Sequence, residues 1–274
     1  MKRFLTAVIA APIALAALFL LPHWVWFALV AVIIDWAAFE YLQIVRPRAP
    51  RAPLFLLLIF VPVAAYAISI ALSDGAPVPQ MRLLLLSGPL VISVVLGALL
   101  LFSRTPLEET LPAIGILSFG IPYFALPIAS LHLLRKDPWV VFLLLAIVWL
   151  GDTAAYYVGS RFGRHKLAPV ISPKKSWEGA AASFGVALVA AAVWCWFRLD
   201  RIDPRILAVS AATAVAAQIG DLVESMIKRG AGVKDSGSVL PGHGGLLDRM
   251  DAMLFAAPVL LFGLWLMQAE VVPR

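Results

Sequence analysis

Two stretches hold side chains of the types that handle phosphate. In "AAQIGDLVESMIKR" the acids Asp221 and Glu224 precede Lys228 and Arg229. Asp221, Ser225 and Lys228 are spaced i, i+4, i+7, which puts them on one helix face over two turns. In "KRGAGVKDSGSVLPGHGGLLDRMD", residues 228–251, four basic and three acidic side chains lie among six glycines. Asp248 and Asp251 fall one turn apart at the start of an expected helix, just as Asp221 comes at the end of the preceding one. Glycines let backbone approach a ligand closely, and amides at a helix N-terminus favour phosphate. Carboxylates at such a start suit a metal ion that bridges to phosphate oxygens. Nucleotide phosphates need that combination: hard oxygen ligands for Mg²⁺, Lys and Arg for the remaining charge, and adaptable backbone.

A structural reading explains each residue singly. Lys228, Arg229 and Arg249 could anchor helices at a membrane surface, Asp248 and Asp251 could cap a helix, and His243, between glycines, could be a turn residue. It does not explain why they occur together. Asp152 in "LGDTAAYYVG" and the pair Lys174-Lys175 in "SRFGRHKLAPVISPKKSWEG" are further candidates. A carboxylate in hydrocarbon costs several kcal/mol, so Asp152, Asp221 and Glu224 must face a bundle interior, a partner or water.

The elements that position these groups are membrane helices. Of the 274 residues 62% are hydrophobic and 14% charged, with mean hydropathy +0.94, against the roughly half-apolar composition of soluble domains. A bilayer core of about 30 Å takes about 20 apolar residues per helix. Runs of that length lie near residues 4–21, 24–45, 53–73, 83–103, 111–134, 138–160, 179–197, 206–227 and 250–270. The fold expected is an all-α polytopic membrane protein of about nine transmembrane helices. Residues 1–137 form N-terminal membrane helices and 138–274 a C-terminal catalytic membrane region of the same integral unit. The first run reads as a retained helix rather than a signal peptide, since no polar mature domain follows. The fifth holds Pro112, Pro122 and Pro127, which should kink it or split it into two shorter pieces.

With a cytoplasmic N-terminus, 15 of the 22 Lys and Arg fall in inside segments, as the positive-inside rule requires. The net charge of +6 is then mostly the topology signal plus attraction to anionic lipid, and nucleic-acid binding is not required. Cys195 is the single cysteine, a packed apolar thiol by default. For Asp35 and Glu40 in the second run, packing or hydrogen bonding within the bundle is the expected role.

The run from Ser225 to Asp251, "SMIKRGAGVKDSGSVLPGHGGLLDRMD", resembles the signature of the phosphatidate cytidylyltransferases, the CDP-diacylglycerol synthases of bacterial membranes. It carries Ser225, Lys228-Arg229, Lys234-Asp235, Leu240-Pro241, His243-Gly244-Gly245, Asp248-Arg249 and Asp251. The stretch from Asp152 through "ISPKKSWEG" is similar to that family's second well-marked region, whereas the N-terminal helices resemble it only in hydropathy and number.

The resemblance implies that CTP and phosphatidate give CDP-diacylglycerol and pyrophosphate with Mg²⁺, at the cytoplasmic side of the bacterial inner membrane, by a homodimer. It implies Asp221 and Asp248 as metal-binding carboxylates. Lys228, Arg229, Lys234, Asp235, His243, Arg249 and Asp251 belong to the catalytic stretch, and Asp152, Lys174, Lys175, Ser225, Gly244 and Gly245 to substrate binding. Lys174, Lys175, Lys228, Arg229 and Lys234 are the expected phosphate contacts, from charge and position.

Two alternatives compete. Another membrane lipid kinase or nucleotidyltransferase would use similar groups, although the paired-Asp motif of the CDP-alcohol phosphatidyltransferases is absent. A proton- or ion-coupled secondary transporter would also place Asp35, Glu40, Asp152 and Asp221 in helices, but it predicts inverted repeats and leaves the Gly-His-Gly-Gly stretch idle.

The charge bias predicts that the loops around Lys174 and Lys234 are both cytoplasmic. Single cysteines placed in either loop, on a Cys195→Ala background, should resist membrane-impermeant thiol reagents in intact cells; labelling from outside would overturn the topology.

Overall fold

The computed structural model describes residues 2–73, 79–100, 105–237 and 244–267. Among these, nine α-helices follow in order: α1 (Lys2–Leu20), α2 (His23–Val45), α3 (Leu56–Ala71), α4 (Pro79–Leu99), α5 (Leu107–Leu134), α6 (Pro138–Phe162), α7 (Trp177–Leu199), α8 (Pro204–Gly230) and α9 (Leu247–Leu266). Six are long and apolar enough to cross a membrane, namely α2 and α5 to α9, while α1, α3 and α4 contribute shorter apolar stretches. The all-α polytopic architecture holds. One hairpin adds to it: β1 (Lys166–Ala168) pairs antiparallel with β2 (Ser172–Ser176), Lys166 opposite Ser176 and Ala168 opposite Ser172.

Helix starts follow the local chemistry. Both α6 and α8 open on Asp-Pro, an acceptor before the helix and a proline whose missing N–H has no intrahelical partner to lose. Asp137 Oδ1 accepts from Trp139 N at 2.9 Å and Asp203 Oδ1 from Arg205 N at 2.9 Å. The Arg205 guanidinium and amide also hold the Asp203 carboxyl below the usual carboxylate range. At α7, Ser176 Oγ accepts from Gly179 N at 3.2 Å.

Of the two outcomes expected for the proline-bearing segment 111–134, a kink or a split, the split does not occur. The segment lies within one 28-residue helix, α5, that contains all three prolines. Burial explains the continuity, because neighbouring helices can hold a proline-containing turn in place. Ile121, Phe124, Ala125 and Ile128 are wholly buried. The Tyr41 ring of α2 lies 5.5 Å from that of Phe124, and Trp26 Nε1 donates to Leu131 O at 3.1 Å.

The chain forms two compact bodies. One comprises residues 1–13, 20–133 and 231–250, so the glycine-rich stretch belongs with the N-terminal helices. In it α3 packs on α2 and α4, and Gly120 of α5 admits Leu57 of α3 where a Cβ would overlap it.

The other body comprises residues 14–19, 134–230 and 251–274. Its largest contact joins α6 and α7, and α8 packs on both. Small residues let these helices approach closely, as membrane helices require in the absence of a hydrophobic drive between them. Gly151 of α6 faces Ser183 of α7, Gly220 of α8 faces the backbone of Asp251 in α9, and Gly263 of α9 faces Val209 of α8. The last two pairings run in opposite senses along α8 and α9, so these helices are antiparallel. Cys195 is buried and unpaired in α7, as a packed thiol should be.

Packing at Gly263 is therefore tight: a Cβ there would stand 2.6 Å from Val209 Cγ1, while one at Gly185 in α7 would meet nothing within 4 Å. Overpacking costs about 1–3 kcal/mol, so Gly263→Ala should lower the melting temperature of the detergent-solubilised protein by several degrees. Gly185→Ala should leave it unchanged or slightly higher, and equal melting temperatures for the two would refute the α8–α9 contact.

Candidate active site

In the body built from α6 to α9, the hairpin brings a cation to an acid. Successive residues of a strand point to opposite faces, and β2 uses this to separate the lysine pair: Lys174 is exposed and Lys175 half-buried. Lys175 Nζ lies 2.6 Å from Asp221 Oδ2, and the Ser225 hydroxyl reaches Asp221 Oδ1 at 3.4 Å. The hairpin is fixed at its base by His165, whose Nδ1 lies 2.7 Å from Glu178 Oε1 and whose carbonyl accepts from Trp177 N at 3.0 Å. Ser176 is buried against Gly159, Gly163 and Gly179.

Around this pair the acids gather. The Asp152 carboxyl interacts electrostatically with Asp221 and Lys175, and that of Asp251 with Asp221, Glu224 and Asp152. Lys228 Nζ lies 2.7 Å from Glu224 Oε2, one turn back along α8. Four carboxylates against two ammonium groups leave an excess of hard oxygen donors, the donor set of a divalent cation. Among the described residues no three His, Cys, Asp or Glu side chains converge as a ready ligand set. Mg²⁺ commonly binds under that condition, through one or two carboxylates plus water and substrate phosphates. Arg229 is exposed at the end of α8. The helix continues to Gly230, so Asp221 sits inside α8 and not at its end, since good helix formers run on through Lys228 and Arg229.

In the other body the glycine-rich stretch is organised by two carboxylates. Asp248 Oδ2 accepts from Gly245 N at 2.8 Å, Ser236 Oγ at 3.0 Å and Ser236 N at 3.1 Å. Glu40 of α2, only 3% exposed, accepts from Leu246 N at 3.0 Å through Oε1, and from Leu247 N at 2.8 Å and Ser236 Oγ at 3.0 Å through Oε2. Leu247 N at the start of α9 and Leu246 N just before it thus already face the Glu40 carboxylate. Asp248 reaches back to Gly245 N, three residues earlier.

The glycines here have specific causes. Gly244 adopts φ +76°, the left-handed region. A Cβ at Gly245 would overlap Glu40 Oε2 and Ser236 Oγ. Lys234, Asp235 and Arg249 are exposed. His243, with Leu240 and Pro241, lies outside the described residues.

Each expected site residue that is described therefore belongs to one of the two bodies. Asp152, Lys174, Lys175, Asp221, Ser225, Lys228, Arg229 and Asp251 are in the α6–α9 body, and Lys234, Asp235, Gly244, Gly245, Asp248 and Arg249 in the other. Sequence reasoning kept Glu40 and Glu224 out of the site and did not single out Ser236. Glu224 was legible as an acid one turn before Lys228, but nothing in "DWAAFEYLQ" points to a partner 207 residues away.

Comparison with known proteins agrees with the signature. A family model described as the cytidylyltransferase family matches residues 1–267. A phosphatidate cytidylyltransferase of Haemophilus influenzae is 36% identical over 280 residues, covering 94% of this chain and 96% of that protein. One from Bacillus subtilis is 44% identical over 126 residues, 44% of this chain and 46% of its own, and one from Staphylococcus aureus 47% identical over 115 residues, 42% and 44%. With the N-terminal helices, resembling the signature's family only in hydropathy, now inside a match that runs from residue 1 to residue 267, the chain belongs to the cytidylyltransferase family.

Proposed function

We propose that this protein transfers the cytidylyl group of CTP to phosphatidate, giving CDP-diacylglycerol and pyrophosphate. The observation that carries the reading is the Lys175–Asp221 pair, set among further carboxylates, in a membrane protein whose relatives are named for this reaction. A phosphatidate oxygen forms a bond to the α-phosphorus of CTP as the bond to the bridging oxygen of pyrophosphate breaks. No covalent enzyme intermediate is needed. Catalysis of such a displacement is positioning and charge neutralisation.

Asp221 and Asp248 are each proposed as Mg²⁺-binding carboxylates, from the motif, and bound Mg²⁺ would supply neutralisation of phosphate charge. Lys175 is a cation already aimed into the carboxylate group, and it serves the triphosphate once Asp221 has another counter-ion. Lys174, exposed on the opposite face of β2, is the weaker phosphate contact of the two. Lys228 is held by Glu224 as a further cation beside the acids. The acyl chains of phosphatidate remain in the bilayer. All nine helices are proposed to span the bacterial inner membrane, with the N-terminus and the hairpin cytoplasmic, and the enzyme to act as a homodimer.

Purified in detergent, the protein should release pyrophosphate only when CTP, phosphatidate and Mg²⁺ or Mn²⁺ are all present. Transition-state charge stabilisation by a bound cation is worth several kcal/mol, so Asp221→Asn or Asp248→Asn should lose on the order of a thousandfold in kcat while inserting normally. Near-normal turnover of both would remove the two aspartates from the mechanism. Lys175→Ala should chiefly raise the KM for CTP, and an unchanged CTP dependence would reduce Lys175 to a topology anchor.

A further inference from the structure

We propose that Glu40 is a positioning residue of the reaction: it fixes the two flanks of the glycine-rich stretch and so sets where Asp248 stands. This rests on the cytidylyl-transfer reading, and it places part of the active-site scaffold in the N-terminal helices, outside the signature.

Glu40 lies near the C-terminal end of α2, five residues before its last, and is 3% exposed. Both its oxygens are committed to one target. Oε1 takes Leu246 N, while Oε2 takes Leu247 N and the Ser236 hydroxyl. Ser236 lies on the near flank and Leu246 and Leu247 on the far one, so a single carboxylate ties together positions separated by ten and eleven residues of chain.

The same Ser236 hydroxyl reaches Asp248 Oδ2 at 3.0 Å. Glu40 and Asp248 thus share the single proton of one hydroxyl, and with Gly245 N donating to Asp248 at 2.8 Å they hold the start of α9 from both sides. The chain is fitted around this carboxylate: a Cβ at Gly237 would stand 2.8 Å from Glu40 Oε1, and one at Gly245 would overlap Oε2.

A purely structural glutamate in a membrane bundle needs donors from any neighbour. These donors come instead from the segment that carries Asp248. A negative charge at a helix N-terminus is also favourable in itself. With Glu40 as the resident anion there, α9's first amides are withdrawn from substrate phosphate, and Asp248 is left to act through a cation.

The test uses Glu40→Gln in the full-length protein. A glutamine presents one acceptor and one NH₂ group, so whichever way it turns, Leu246 N or Leu247 N faces a donor. In hydrogen–deuterium exchange, the amides of Ser236, Gly245, Leu246 and Leu247 should exchange about tenfold faster than in the parent, with α6, α7 and α8 unchanged. Pyrophosphate release per folded molecule should fall about tenfold or more in kcat with little change in the KM for CTP, the signature of a lost transition-state interaction.

Gly263→Ala, destabilised in the other body, serves as the stability comparator. It should keep parental kcat per folded molecule and parental exchange at those four amides. Should Glu40→Gln fail to accumulate, Ser236→Ala removes the shared hydroxyl and should reproduce the local exchange and the kcat loss in milder form. Parental exchange at these amides overturns the proposal, and so does faster exchange with turnover within twofold of the parent. A parent that releases no pyrophosphate would instead overturn the cytidylyl-transfer reading, while the exchange arm still decides whether Glu40 holds the stretch.

Discussion

Burying a carboxylate beside hydrocarbon is the constraint on which the rest of this structure turns. The cost is several kcal/mol unless donors or cations meet the charge, and this protein meets it in two ways. Glu40 is satisfied by backbone amides and a hydroxyl. Asp221 and Glu224 are paired with ammonium groups, Lys175 and Lys228. The first solution is rigid, because backbone donors at the start of a helix cannot leave. The second is exchangeable, because a lysine on a four-carbon stem can release its partner when a stronger counter-ion arrives.

That difference assigns different work to the two sets of acids. The Glu40 and Asp248 carboxylates hold the described flanks of the glycine-rich stretch, Ser236 on one side and Gly245 to Leu247 on the other, and three glycines there are shaped by the carboxylates themselves. Gly237 and Gly245 have no room for a Cβ beside Glu40, and Gly244 has none beside Asp248. The cluster around Asp221 has instead more acidic side chains than cations, with Lys175 on a flexible stem among them.

The hairpin between α6 and α7 shows how little regular structure such a site needs. Two short strands turn Lys175 inward and Lys174 outward, so two adjacent and chemically identical residues have different surroundings. The close packing of Gly159, Gly163 and Gly179 on Ser176 seats the hairpin on its two helices. Many large apolar side chains, among them Trp24, Leu90, Tyr156 and Phe197, are exposed, as they should be where the solvent is lipid.

Composition and hydropathy by themselves determined the class of this protein, because 62% hydrophobic residues in runs of membrane length leave no other soluble or fibrous solution. Spacing determined that Asp221 and Ser225 share a helix face, and the motif determined the family, because both depend on residues close in sequence. Three things depended on contacts between distant residues and were decided only by the tertiary structure. Pro112, Pro122 and Pro127 read locally as breaks, yet burial of Ile121, Phe124 and Ile128 holds α5 as one helix. Lys174 and Lys175 read as a pair, yet strand alternation and the position of α8 gave only one of them Asp221. Glu40 read as an ordinary buried acid, because its partners lie about 200 residues away and are mostly backbone amides, which every residue except proline possesses and which therefore leave no mark in a sequence.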